Sequence, residues 1–102
     1  MQPLIEARRA EIGEICRRFH VRRLDVFGSA ARDDFDPARS DVDFLVEFEP
    51  DHPLGGLEAY FGLKDALEEL FGRKVDLVSP GRIKNPYVRR SIERSRELLY
   101  AA

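Results

Sequence analysis

Residues 41–48 read DVDFLVEF, the most strand-like run in the chain. Side chains alternate between the two faces of a strand. Val42, Phe44, Val46 and Phe48 therefore share one face, and Asp41, Asp43, Leu45 and Glu47 share the other. A chain with such a strand must build a sheet whose apolar face rests on a core. The opposite face carries carboxylates, either as a solvated surface or as a site. By itself an Asp-x-Asp is better explained by solvation.

Around this strand the spacing predicts the order α-β-α-β-α-β-α. Residues 3–20 form a helix on a stripe of Ile5, Ile12, Ile15, Cys16 and Phe19, with Pro3 in its first turn. Residues 23–27, RLDVF, alternate and end at Gly28. Ser29 is a good N-cap for a helix through the alanines that follow, and Pro37 stops it. Residues 57–71 are amphipathic, with Leu57, Tyr60, Phe61, Leu67, Leu70 and Phe71 inward and Gly72 after the last turn. Residues 74–78, KVDLV, make a third strand. Asn85-Pro86 opens a last helix over 87–100. The expected architecture is α/β (α+β): one domain over residues 1–102, a three-stranded mixed sheet with helices packed on it.

At 102 residues the chain is long enough for one domain and too short for two. It is 43% hydrophobic and 35% charged, a globular balance. The formal net charge of -2 disfavours nucleic-acid binding by the whole surface. The single cysteine, Cys16, excludes an internal disulfide and a multi-cysteine metal cage. No apolar run approaches the ~20 residues of a membrane span. The charged N-terminus lacks a secretory core, so a cytoplasmic protein is expected.

Three carboxylates come into reach of one another if the strands of Asp43 and Asp76 are neighbours. Asp76 alternates against Val75 and Leu77, so a shared core puts it on the Asp41 and Asp43 face. Such a cluster needs a cation, and an all-oxygen donor set suits Mg²⁺. Gly28 permits close backbone approach, Ser29 adds a hydroxyl, and a helix starting there aims free N–H groups at a phosphate. Arg32, one turn later, adds a charge-assisted contact. Ser40 borders the acidic strand, either as a nucleotide contact or as a cap of the turn before it. Glu47 lies about 13 Å further along the strand than Asp43, too far to share a metal. Asp33, Asp34 and Asp36 read as loop solvation, and His20 and His52 stand alone. Residues 82–102 hold six basic and two acidic residues, a solvated helix face or else a surface for an acidic partner or the triphosphate.

Taken together, FGS, an eleven-residue interval, DVD and a later KVDLV resemble the minimal nucleotidyltransferases of the DNA polymerase β-like superfamily. The longer match FGSAAR…SDVDFLVEF…KVDLVSPG is similar to the prokaryotic subfamily paired with HEPN-domain proteins. The resemblance implies that Gly28 and Ser29 hold the triphosphate of ATP. It implies that Asp41, Asp43 and Asp76 are catalytic and bind two Mg²⁺ ions, with Asp76 helping to deprotonate the acceptor hydroxyl. It further implies transfer of AMP to a tyrosine of a cognate HEPN RNase toxin, so that this protein acts as antitoxin in a complex with its partner. Only one helix follows the Asp76 strand, so the acceptor is expected to be presented by another chain. Two alternatives stand beside this reading. One is a non-catalytic antitoxin that covers the toxin. The other is a transferase acting on RNA or a small molecule.

Overall fold

A computed structural model describes residues 3–28, 31, 41–50 and 56–102. In chain order its elements are α1 (Pro3–Glu6), α2 (Arg9–Arg18), β1 (Val21–Phe27), β2 (Val42–Phe48), α3 (Gly56–Phe71), β3 (Val75–Val78), α4 (Pro86–Ser95) and β4 (Glu97–Ala101), with a 3-10 turn at Pro80–Arg82. The helix expected to start at Ser29 lies outside the described residues. The sheet is mixed, as expected, and its order is β3-β2-β1-β4. β2 runs parallel to β3, whereas β1 is antiparallel to both β2 and β4.

The main core lies on one face. Val42, Phe44 and Val46 of β2 join Leu24 and Val26 of β1, Val75 and Leu77 of β3, and the buried stripes of α2 and α3. Ile5, Ile12, Ile15 and Cys16 are all buried, as the helical spacing required. Burial pushes the Cys16 thiol up to about 12, so it stays neutral at ordinary pH and behaves as a small hydrophobe. The expected first helix is broken into two at Ala7 and Arg8, where Arg8 leaves helical geometry at φ -109° and ψ 13°.

Two expectations are corrected. The sheet has four strands rather than three, because the last helix stops at Ser95 and residues 97–101 form β4. Glu, Leu and Ala are good helix formers, so local propensity alone favoured continuing. The free edge of β1 outweighs it: β4 satisfies that edge and buries Leu99 in the core. Secondly, α3 turns Leu57 and Phe61 outward, 69% and 54% exposed, whereas Leu67 and Phe71 are buried and Tyr60 and Leu70 pack against the core as expected, joined by Ala59 and Leu63. The buried stripe from Ala59 to Phe71, at every fourth residue, sets α3 against the core and leaves Leu57 and Phe61 off it.

Gly62 of α3 lies against Phe19, the residue that follows α2. A Cβ there would run into the Phe19 ring, whose Cδ1 and Cζ would stand 3.1 Å away. Glycine to alanine in a helix interior normally stabilises by about 1 kcal/mol. Here overpacking outweighs propensity, and Gly62→Ala is expected to destabilise by about 1–3 kcal/mol in a urea titration. An unchanged or higher midpoint would show that the two helices separate freely.

No helix among the described residues is long and apolar enough to cross a membrane.

Candidate active site

The second face of the sheet carries the polar side chains. β2 and β3 pair Asp43 with Asp76 in register, and β1 sets Phe27 opposite Asp43 on the other side. In-register partners on neighbouring strands share a face, so the two carboxylates stand side by side. The alternation of DVDFLVEF and KVDLV is the local cause, and the parallel pairing of their strands is the tertiary one.

β3 is an edge strand, and α3 holds its outer side. The Glu68 carboxylate accepts from the Val75 N–H at 3.1 Å, and the Tyr60 hydroxyl donates to the Leu77 carbonyl at 2.9 Å. Asp76 lies between these two ties. It is therefore an exposed side chain on a backbone fixed from both sides.

Gly28 closes the site from β1. It takes φ +71°, a left-handed conformation that side chains disfavour. A Cβ on it would come within 2.7 Å of Asp43 Oδ2. Only a glycine lets this turn lie against that carboxylate. Gly28→Ala is expected to cost about 1–2 kcal/mol of stability from the backbone conformation alone. It is also expected to displace Asp43. Denaturant unfolding and nucleotide titration check both effects, and normal nucleotide affinity in a folded Gly28→Ala protein would count against Gly28 as part of the site.

The far wall is α4. Asn85 caps it, its side-chain oxygen accepting from the Tyr87 N–H at 2.9 Å and the Val88 N–H at 3.4 Å, with Pro86 in the first turn as expected. A groove of about 520 Å³ runs between α4 and the carboxylate face, lined by Gly28, Asp43 and Asp76 on one side and Val88, Ser91 and Ser95 on the other. A cleft of about 420 Å³ continues from Ser91 and Ser95 along Tyr87, Arg90 and Arg94. The basic C-terminal stretch thus brings two guanidinium groups beside the groove.

Of the residues singled out in the sequence, the structure brings together Gly28, Asp43 and Asp76. Asp41 sits one residue ahead of β2 and is exposed. Ser29, Arg32 and Ser40 lie outside the described residues. Among the described residues, no three His, Cys, Asp or Glu side chains converge as a metal cage. The donors that do meet are two carboxylates, one of them packed against a glycine where a Cβ would otherwise stand. This set fits Mg²⁺, which takes one or two protein carboxylates and fills its remaining positions with water and phosphate oxygens.

Sequence reasoning passed over Asp25. It is 1% exposed, the one buried charged residue among those described. Arg96 reaches it through Nε at 2.6 Å and through a second guanidinium nitrogen, and Arg23 Nε approaches at 3.2 Å. The alternation in RLDVF was the available signal, since it puts Arg23 and Asp25 on the Asp43 face. Arg96, 71 positions away, left no local trace.

Comparison with known proteins gives the family and the fold. The family model described as the nucleotidyltransferase domain matches residues 9–99. A Methanocaldococcus jannaschii protein provisionally named a protein adenylyltransferase is 44% identical over 85 residues, which is 81% of this chain and 79% of that protein. A solved structure provisionally described as a minimal nucleotidyltransferase is 37% identical with a TM-score of 0.71, over 90% of this chain and 89% of that one. A chain from the complex of tri-AMPylated Shewanella oneidensis HEPN toxin with MNT antitoxin has a TM-score of 0.64 over 96% of this chain and 73% of that one. At 18% identity that last likeness concerns the fold alone.

Proposed function

Because this chain belongs to the nucleotidyltransferase domain family and is an enzyme of the adenylyltransferase type, we propose that it moves AMP from ATP to a tyrosine hydroxyl. The tyrosine belongs to a cognate HEPN RNase toxin, and the modification makes this chain the antitoxin. The observation that carries the reading is the in-register pair Asp43 and Asp76 beneath the left-handed turn at Gly28. The partner is chosen by analogy with the Shewanella complex, in which a chain of this fold accompanies an AMPylated HEPN toxin.

The roles follow from the chemistry of each group. Gly28 and Ser29 receive the triphosphate, with Arg32 and Ser40 as further contacts, and the missing Cβ lets the Asp43 carboxylate lie against the turn. Asp41, Asp43 and Asp76 would hold two Mg²⁺ ions, which would supply Lewis-acid activation of the acceptor oxygen and charge neutralisation for the departing pyrophosphate. A carboxylate oxygen of Asp76 takes the proton of the acceptor hydroxyl. The hydroxyl oxygen bonds to the α-phosphorus, the bridge from that phosphorus to the β-phosphate breaks, and pyrophosphate leaves with the bond electrons. The groove wall from Val88 to Ser95 orients the acceptor and limits water. A reaction that consumes ATP suits the cytoplasm, the compartment expected from the sequence.

Incubation with α-labelled ATP, Mg²⁺ and the neighbouring gene's protein tests the proposal. Label on that protein, lost with Asp41→Asn or Asp43→Asn, supports it. Neutralisation of the toxin by both variants without label would instead favour a covering antitoxin. Label on RNA or a small molecule, with none on the protein, would reassign the acceptor.

A further inference from the structure

The β1–β4 ladder ends at Val26 and Glu97. Two residues further on, the Gly28 N–H faces the same edge, with no strand beyond it among the described residues. The Ser95 hydroxyl fills that place, accepting from the Gly28 N–H at 3.1 Å. The same hydroxyl turns its own proton back into α4, toward the carbonyls of Ser91 at 3.3 Å and Ile92 at 3.4 Å. Its direction is therefore set by the helix. The next residue, Arg96, is anchored on buried Asp25. The α4–β4 junction is thus pinned to β1 at two points, one of them the turn that lies against Asp43.

We infer that Ser95 is a positioning residue for nucleotide binding, acting through Gly28. A left-handed turn is held by few interactions of its own. Asp43 Oδ2 occupies the space that a Gly28 side chain would fill. A small shift of Gly28 therefore alters both the backbone offered to phosphate oxygens and the room around Asp43. Ser95 prevents that shift from 67 positions away in sequence. The Asp25–Arg96 pair keeps α4 docked whether or not the hydroxyl is present, so the two functions are separable. The inference rests on the nucleotide reading of Gly28.

The test compares the full chain with Ser95→Ala and Ser95→Thr. Amide NMR reports on Gly28 directly, and calorimetry with AMP-PNP and Mg²⁺ reports on binding. In Ser95→Ala the Gly28 amide proton is expected to move upfield and exchange with solvent about five- to tenfold faster, the weight of one ordinary hydrogen bond. AMP-PNP affinity is expected to fall by a similar factor. Ser95→Thr, which keeps the hydroxyl, restores both. An unmoved Gly28 amide in Ser95→Ala overturns the inference, and so does a lower melting temperature with unchanged affinity. If the wild-type chain fails to bind AMP-PNP while its Gly28 amide still responds to Ser95→Ala, the hydrogen bond stands but the nucleotide reading, and the positioning role with it, falls.

Discussion

Asp43→Asn is expected to lower AMP transfer by on the order of a thousand-fold, about 4 kcal/mol of transition-state stabilisation, and to leave the fold in place. The replacement is isosteric and the position is only half-buried. Like charges set directly opposite on neighbouring strands are mildly destabilising, so neutralising one of them relieves that repulsion. What disappears is an anionic donor beside Asp76, and with it the grip on a divalent ion that an amide oxygen holds weakly. Transfer of α-labelled AMP, measured beside a thermal melt, separates the two effects. Activity within tenfold of wild type in a folded Asp43→Asn protein would remove Asp43 from the mechanism. Asp76→Asn is expected to behave in the same way, because its backbone is held by Glu68 and Tyr60 rather than by its own carboxylate.

The largest effect on stability is expected at Arg96. Arg96→Met keeps an apolar stem over β1 but leaves Asp25 buried with only the longer Arg23 contact. Removing one partner of a buried ion pair costs about 3–5 kcal/mol, because the remaining charge is still desolvated. With Arg23 still present the lower end applies, about 3 kcal/mol, or roughly 15 °C in melting temperature for a domain of this size. Arg23→Ala, at a side chain 45% exposed, is expected to cost less than about 1 kcal/mol. Joining Arg96→Met with Asp25→Leu is expected to recover most of the loss, since no buried charge then remains. A loss under about 1 kcal/mol in Arg96→Met would mean that water or Arg23 already solvates Asp25.

The site was more legible than the fold around it, for a reason of scale. Alternation is a property of two or three consecutive residues, and it placed Asp43 and Asp76 on the face away from the core before any strand was paired. The glycine after RLDVF was equally readable, since a tight exit against another strand favours a residue without a Cβ. Asn85-Pro86 announced α4 through its own hydrogen bonds. By contrast, ELLYA carries a helical preference that only the open edge of β1 overrides. The inward stripe of α3 depends on where α2 and the sheet already stand. Leu57 and Phe61 therefore read as core and are exposed.

What the amino-acid order determined by itself was the chemistry available: a carboxylate face, a glycine turn, an oxygen-only donor set and a basic last helix. Each follows from side-chain period or from covalent structure, which the chain carries everywhere it goes. What the tertiary structure decided was the company those groups keep. Parallel pairing set Asp43 beside Asp76, and the turn of the chain at Arg96 brought Ser95 to Gly28 and a guanidinium to Asp25. Those contacts join residues 33 to 71 positions apart. A hydrogen bond or ion pair across such a distance depends on the whole sheet closing, so no short stretch of sequence could announce it.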